Sequence, residues 1–188
     1  VWEAFFPLAL GMGRPMPKVL ACRVLAHEIR HLRPTLKPDY FEPLCHTLEP
    51  SKFAAYVDSL IQDHSLLVCG DCGGLAGIAR RRRIPLLPGE DCIDLLVHER
   101  RAATLYLTEG WLENLDRIFG LERIDSRARA GVLRTLLSSV RQVAYVSTVG
   151  GTGGERKARA LASILGCGFD SVQGSLDLLS KGLEEAGT

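Results

Sequence analysis

The sequence has almost no excess of charge of either sign, since 23 Lys and Arg residues stand against 22 Asp and Glu residues. A net charge of +1 gives no electrostatic reason to expect nucleic acid or an anionic membrane surface as a partner. No apolar run in the chain is long enough to span a bilayer. We therefore expect a protein that binds neither nucleic acid nor a membrane.

The marks of a secreted disulfide protein are also missing. The apolar stretch at residues 1–10 has no basic leading segment and no clear cleavage site. Disulfide-dense scaffolds are usually much shorter than 188 residues. We therefore expect a cytoplasmic protein with thiols that are free to ligate a metal or to react. The cysteines are Cys22, Cys45, Cys69, Cys72, Cys92 and Cys167.

No linker, low-complexity tract or internal repeat divides the chain. Hydrophobic residues make up 46% of it, which is ordinary for a globular domain of this length. Residues 1–15 are expected to be an N-terminal extension, because the first strand-like run begins only after Pro17. We expect residues 16–188 to form a single α/β domain.

Short apolar runs alternate with helical segments along this domain. The pattern predicts strands at residues 19–22, 40–44, 65–68, 84–87, 103–107 and 143–146. It predicts helices at residues 26–32, 49–61, 75–82, 93–101, 112–119, 126–139, 155–165 and 175–185. This alternation favours a mainly parallel sheet with helices on both faces. Right-handed connections then bring the carboxyl ends of the strands to one edge.

Cysteine and histidine recur where the predicted strands end, and ligands of open α/β sheets bind just beyond those ends. The predicted metal ligands are Cys22, His46, Cys72 and Cys92, which follow the first four strands in turn. Mixed sulfur and nitrogen donors suit zinc, with iron or a corrinoid as alternative cofactors. Cys45 and Cys69 are interpreted as packing residues, because they lie farther from loop glycines and acids.

Other candidate site residues follow the same strand ends. Asp91 and Glu109 are candidate general bases, and Asp91 or Asp71 could instead orient a histidine ligand. The candidate cofactor-binding residues are Gly73 and Gly74 after the third strand, and Thr108 and Trp111 after the fifth.

The pair Cys69 and Cys72 supports a different hypothesis, a thiol–disulfide protein. A C-x-x-C pair is reactive when it lies at a helix N-terminus, where the helix dipole lowers the thiol pKa. This hypothesis ranks below metal binding because it leaves Cys22, His46 and Cys92 without a role.

Residues 27–31 match the metalloprotease pattern H-E-x-x-H, in which two histidines bind zinc beside a glutamate base. The predicted helix is short, ends before Pro34 and must bury one face on a sheet. We therefore predict that His27 and His31 are solvated and share no metal. Glu28 would lie near the helix N-terminus, where the dipole favours it.

Several of these segments together resemble the domain-of-unknown-function family 1638 (DUF1638) of bacteria and archaea. Cys72-Gly73 and Asp91-Cys92 match the G-x-C-G and H-D-C loops of the family pattern, with Glu90 in the place of the histidine. The resemblance covers residues 17–183. Its segments are 19–22 with Glu28, 44–50, 69–73, 91–93, 106–113, the strand at Val143 and 174–179.

The resemblance implies a Rossmann-like fold, an uncharacterised activity and an association with corrinoid-dependent methyl transfer. The first functional hypothesis is a zinc-dependent methyl-transfer or related enzyme in corrinoid-linked one-carbon metabolism. The second is a non-catalytic protein that holds a metal or corrinoid for a partner. That partner would be a corrinoid protein or a methyltransferase, with a small molecule or the metal cofactor as ligand.

Overall fold

The structure is a computed structural model that describes residues 18–150 and 153–185. The predicted extension at residues 1–15 lies outside the described residues. The strands are β1 (Val19–Cys22), β2 (Asp39–Phe41), β3 (Leu66–Val68), β4 (Thr104–Leu107), β5 (Gln142–Ser147) and β6 (Gly168–Gln173). The helices are α1 (Ala26–Leu32), α2 (Pro50–Leu60), α3 (Leu75–Arg82), α4 (Glu109–Glu113), α5 (Leu115–Ile118), α6 (Ser126–Leu136), α7 (Gly153–Leu165) and α8 (Asp177–Glu185). Across the described ranges, no helix is both long and apolar enough to cross a membrane.

All strand pairs in the described chain are parallel, which confirms the predicted Rossmann-like α/β fold with helices packed on its sheets. The strands form two three-stranded sheets, with the orders β2-β1-β3 and β4-β5-β6. The sequence pattern did not reveal this division into two sheets. Residues 93–101 form turns in place of the predicted crossover helix, so β4 starts a second sheet. The predicted strand at residues 84–87 contributes one parallel bridge, between Leu86 and Leu67 of β3.

The two sheets share buried side chains. All four residues of β1 are buried, as expected for the central strand of a covered parallel sheet. The cluster that contains them also includes Tyr106 of β4 and Ala144 and Val146 of β5. A smaller cluster lies on the other side of the second sheet and includes Tyr145 of β5. The larger cluster thus holds the carboxyl edges of both sheets in one region.

Strand β6 has no counterpart in the sequence-based prediction. Its residues, Gly-Phe-Asp-Ser-Val-Gln, are neither an apolar run nor a strict alternation, and none of them is buried. It lies at the edge of the second sheet and pairs with β5 over the whole length of both strands. An edge strand with little burial carries little hydrophobic signal, so the periodicity could not reveal it.

Helix α2 positions the loop after β3. Pro50 begins the helix, and Phe53 and Val57 are buried on one face, as the spacing predicted. The ring of Phe53 lies where a side chain at Gly73 would be, since a Cβ there would be 2.7 Å from Phe53 Cδ1. Gly73 also has a φ of 63°, which disfavours residues with a Cβ. These contacts fix the position of the neighbouring Cys72.

Candidate functional site

Four segments meet at the carboxyl edge of the first sheet, and the loop of Asp91 and Cys92 is the fourth of them. Strand β1 is central and ends with Cys22 itself. After β2, the short 3₁₀ helix Leu44–His46 carries Cys45 and His46. After β3, a second 3₁₀ turn at Cys72–Gly74 presents Cys72. Because β2 and β3 flank β1, their following loops converge on the end of β1.

These loops enclose a small cavity, which we call the thiol cavity. Its lining residues are Cys22, Val24, Pro43, Cys45, His46, Cys72, Asp91, Cys92 and Trp111. Its volume is about 10 Å³, close to the space needed for one water molecule or one ion. The structure thus brings together all four of the predicted ligands, and their role as ligands stays a prediction.

Cys45 is the cysteine that the sequence analysis assigned to packing and that the structure places at this cavity. Its position in a 3₁₀ turn, rather than at the end of a strand, could not be deduced from the sequence pattern. Cys69 is fully buried in the core, and burial raises the pKa of its thiol well above the ordinary value. It does not line the cavity, so the structure does not present Cys69 and Cys72 together as an exposed redox pair.

The thiols of the cavity form a chain of contacts. Hydrogen bonds from Cys45 and Cys92 lower the pKa of the Cys72 thiol, although burial opposes them. The pKa of Cys92 is raised, first because its thiol donates to Cys22 and Cys72, and also because it is buried. The pKa of Cys45 is raised in the same way by donation to Cys72. Among Cys45, Cys72 and Cys92, Cys72 is therefore the thiol whose contacts favour the ionised form.

His46 and Trp111 lie at the rim of the thiol cavity. Their ring centroids are 5.2 Å apart, with an interplanar angle of 59°. His46 is exposed, and Trp111 is half-buried. The indole Nε1 of Trp111 is buried and has no hydrogen-bond partner in the described part of the chain. This rim therefore combines an accessible imidazole with an unsatisfied hydrogen-bond donor.

Asp91 lines the cavity, but its carboxylate is already occupied. Both Asp91 oxygens accept hydrogen bonds from Arg100, and Oδ1 also accepts from the backbone N–H of Ile93 at 2.7 Å. Burial raises the pKa of Asp91, but the hydrogen bond and charge of Arg100 outweigh it and leave the pKa below its usual value. A general base works best with a pKa near the working pH. These contacts suit a carboxylate that holds the loop of Cys92 in place.

The remaining acidic and polar candidates are spread over other places. Asp71 Oδ1 accepts from the backbone N–H of Ala76 at 2.7 Å, which places it at the start of α3. Thr108 Oγ1 accepts from the backbone N–H of Trp111 at 3.3 Å and so caps α4. Gly74 has a φ of 83° at the start of α3. Each of these residues thus has a local structural role, and cofactor binding by Gly73, Gly74, Thr108 and Trp111 stays a prediction.

Glu109 lies away from the thiol cavity, at the N-terminus of α4. Tyr145 donates its hydroxyl to Glu109 Oε2 at 3.5 Å, and Lys157 Nζ is 3.6 Å from Oε1. Glu109 therefore belongs to the carboxyl edge of the second sheet, and the structure does not bring it together with Cys72 and Cys92.

The two histidines and the glutamate of the H-E-x-x-H segment have different surroundings. His27 Nε2 lies 2.9 Å from Glu113 Oε2, and His31 is exposed. Glu28, which the sequence analysis placed near the helix N-terminus under the favourable dipole, is completely buried. Glu28 does lie in the first turn of α1, as the sequence predicted, and its burial is a feature that the local pattern could not reveal. Glu28 Oε1 accepts from Thr148 Oγ1 at 2.7 Å, just beyond β5.

This burial leads to a pH-dependent prediction. Burial is the main cause that raises the pKa of Glu28 above its ordinary value of 4.5, with the nearby charge of Glu109 adding to it. The folded state thus holds the Glu28 proton more tightly than the unfolded chain. The stabilisation from this proton is complete below the ordinary pKa and is lost as the pH rises through the raised one.

We expect Glu28→Gln, which cannot ionise, to remove that loss of stability. The free energy of unfolding of the variant should rise relative to wild type between pH 5 and pH 8, measured by urea denaturation in metal-free buffer. Glu122→Gln, at an exposed glutamate whose ion-pair partner is Arg117, is the control and should show no such trend. A constant difference between wild type and Glu28→Gln across this range would contradict the prediction.

The comparisons with known proteins assign the chain to a family and give no function. A family model described as "Protein of unknown function (DUF1638)" matches residues 44–183. No curated protein matches the chain. Among solved structures, the chain is similar to the crystal structure of the laminin-binding protein Lbp of Streptococcus pyogenes. That match has 11% identity, covers 92% of this chain and 98% of the other, and has a TM-score of 0.27, so it carries no argument about function.

Proposed function

Since this chain belongs to the DUF1638 family, whose members have no assigned function, we propose its role from the site alone: it binds one thiophilic metal ion in the thiol cavity. Zinc is the expected ion. One observation carries the proposal, namely that cysteines from four separate segments line a single cavity of about 10 Å³. Cysteines that merely fill space have no reason to meet in this way.

The chemistry of the donors fits such an ion. Zinc accepts four thiolates, or thiolates with imidazole, in a tetrahedral arrangement at about 2.0–2.3 Å. Thiolates that are buried together repel one another, so a cation stabilises the ionised cluster. Cys72 would ionise first, because the neighbouring thiols of Cys45 and Cys92 donate to it. The other thiols of the cavity would lose their protons as the metal binds.

Binding requires a small rearrangement of side chains. Within residues 18–150 and 153–185, no three His, Cys, Asp or Glu side chains are already grouped as ligands of one ion. The thiols of the cavity instead contact one another as donors and acceptors. Metal binding would therefore require the sulfur atoms of Cys22, Cys72 and Cys92 to turn from each other toward a shared ion.

The number of protein ligands distinguishes a structural from a catalytic zinc site. A structural zinc site is closed by four protein ligands, whereas a catalytic site keeps one position open. The cavity offers four thiols, and His46 stands exposed at its rim. We propose that Cys22, Cys72 and Cys92 hold the ion. Cys45 then fills the fourth position in a closed site, or leaves that position to a ligand beside His46 and Trp111 in an open one. A methyl-transfer enzyme and an accessory protein that carries a metal or corrinoid are the two forms of this proposal.

We further propose a reducing, cytoplasmic location. The described cysteines are all free thiols, and thiolate ligands need a compartment that keeps them reduced.

The test is the metal content of the protein. We expect elemental analysis of protein purified without added metal to find about one zinc per chain. Replacement of zinc by Co²⁺ should then give the strong sulfur-to-cobalt charge-transfer absorption of thiolate ligation. Iron or cobalt in place of zinc would change the identity of the ion and keep the site. Protein that contains no metal and shows no such absorption with Co²⁺ would overturn the proposal.

A redox role for Cys72 is the second candidate, and its contacts with Cys45 and Cys92 favour it. Its thiolate would attack a disulfide oxidant such as oxidised glutathione, which releases one reduced glutathione and leaves the other bound to Cys72. A neighbouring thiol would then displace the bound glutathione and form a disulfide with Cys72. Two electrons and two protons leave the cysteine pair in this exchange. Mass spectrometry after treatment with oxidised glutathione would find the new disulfide, and bound zinc should protect against it.

A further inference from the structure

A second group of buried polar atoms lies at the carboxyl edge of the second sheet. Its central residue is Glu28 of α1, whose side chain is completely buried. One carboxyl oxygen, Oε1, accepts from Thr148 Oγ1 at 2.7 Å. The other, Oε2, is buried and has no hydrogen-bond partner among the described residues. A buried carboxyl oxygen without a hydrogen-bond partner costs free energy. A bound proton or cation would remove that cost.

Glu109 brings a second carboxyl group to this place. It follows β4, the neighbour of β5 in the second sheet, and its charge acts on Glu28. Tyr145 of β5 donates its hydroxyl to Glu109 Oε2 at 3.5 Å. Gly154 leaves room for this carboxylate, because a Cβ at Gly154 would lie closer than 3.0 Å to Glu109 Oε2. The carboxylate of Glu109 can therefore occupy this position only because residue 154 is glycine.

The cations near this pair of glutamates are few and loosely held. Lys157 Nζ is 3.6 Å from Glu109 Oε1, and more than half of the Lys157 side chain is exposed. His27, the neighbour of Glu28 on α1, pairs with Glu113, and its charge also acts on Glu28 by favouring the ionised carboxylate. The fully buried Glu28 thus has no ion pair of its own among the described residues.

We propose that Glu28 and Glu109 bind one hard divalent cation, with Mg²⁺ as the expected occupant. The available donors are all oxygen atoms, from the carboxyl groups of Glu28 and Glu109 and the hydroxyl groups of Thr148 and Tyr145. Oxygen donors of this kind suit Mg²⁺ and Mn²⁺ and do not suit the soft ions that thiolates select. The cation would satisfy Glu28 Oε2 and balance the charge of the two carboxylates.

This site is distinct from the thiol cavity, although the two are neighbours. Helix α4 carries Glu109 toward the oxygen donors and Trp111 toward the thiols. Between them, Gly110 packs directly on the backbone of Val24, where no side chain would fit. The two sites thus differ in donor chemistry, and a close contact between α4 and the 3₁₀ turn Arg23–Leu25 before α1 lies between them.

Titration with Mn²⁺, followed by the loss of the electron paramagnetic resonance signal of free Mn²⁺, tests the proposal. The variants are Glu28→Gln and Glu109→Gln, which keep the shape of the side chain and remove its charge. Glu113→Gln is the matched control on the same helix. Cys72→Ser separates this site from the thiol cavity. Thermal unfolding of each variant checks that it is folded.

We expect one Mn²⁺ per chain in wild type, in Cys72→Ser and in Glu113→Gln. Glu28→Gln and Glu109→Gln should each bind Mn²⁺ more weakly, by about tenfold or more. An excess of Mg²⁺ should displace the bound Mn²⁺. Three results would each overturn the proposal: no binding by wild type, equal binding by folded Glu28→Gln, or loss of binding in Cys72→Ser. The first of these would mean that Glu28 holds only a proton.

Discussion

Cys72→Ser is expected to abolish zinc binding. Cys72 accepts from both Cys45 and Cys92, so it occupies the middle of the chain of thiols, and its pKa is the one that these contacts lower. A serine hydroxyl does not ionise near neutral pH and is a poor ligand for a soft or borderline ion. The loss of affinity should exceed about a hundredfold, the upper range for residues that only support a metal ligand. Competition with a zinc-binding dye gives the affinity.

Two further cysteine variants make this result specific. Cys92→Ser should lose zinc in the same way, because its thiol contacts Cys22 and Cys72. Cys167→Ser is the control, since Cys167 lies in the second half of the chain and its sulfur is 3.8 Å from the carbonyl oxygen of Ala162. It should keep about one zinc per chain. If Cys72→Ser and Cys92→Ser retained their zinc at wild-type affinity, these cysteines would be packing residues only.

Gly70→Ala is expected to destabilise the protein strongly and to disrupt the thiol cavity with it. A Cβ at Gly70 would lie closer than 3.0 Å to three backbone atoms of Asp91. Backbone atoms cannot turn aside as a flexible side chain can, so the loop that carries Cys92 must shift. Overpacking of this kind costs about 1–3 kcal/mol and occasionally more, and we expect about 3 kcal/mol here. Guanidinium denaturation measures the free energy of unfolding.

The same loop contact links stability to metal binding. The backbone N–H of Asp71 donates to the carbonyl oxygen of Gly89 at 2.8 Å, so the loops after β3 and Leu86 are joined on both sides of Gly70. We therefore expect folded Gly70→Ala to bind zinc more weakly than wild type. Unchanged stability together with unchanged zinc content would show that the loops can separate without harm.

Gly131→Ala is the matched control for that substitution. Gly131 is exposed within α6, and a Cβ there would meet no atom within 4 Å. Alanine is favoured over glycine in a helix interior by about 0.5–1 kcal/mol, so this variant should be slightly more stable than wild type. The two glycine-to-alanine substitutions are thus expected to change the free energy of unfolding in opposite directions, although the chemical change is the same.

Much of the candidate site could be predicted from local patterns. A buried parallel strand appears as a short apolar run, and its carboxyl end is where ligands bind. Cys22, Cys72 and Cys92 were identified in this way, and His46 lies at the rim of the same cavity. Cys45 was missed because a cysteine one residue from a strand end looks the same whether it turns toward the cavity or into the core.

The acidic residues show where local patterns stop being informative. The sequence pattern presented Asp91 as a free carboxylate, but Arg100, nine residues later, donates a hydrogen bond to it. The turns between the two residues have no periodic signal that could predict this contact. The local pattern placed Glu28 near the N-terminus of a short helix and gave no sign that its side chain is buried. Its burial depends on contact with Thr148, which is 120 residues away in the chain.

The sequence by itself determined the α/β class, the parallel strands and the gathering of cysteines at one sheet edge. These follow from hydrophobic periodicity and from the handedness of βαβ connections, which act over about 30 residues. Only the tertiary structure decided that the strands divide into two sheets, that β6 completes the second, and that the charge of Glu109 acts on Glu28. Those outcomes depend on which surfaces pack across long separations, and that packing brings a buried and a partly buried carboxyl group from opposite halves of the chain near each other.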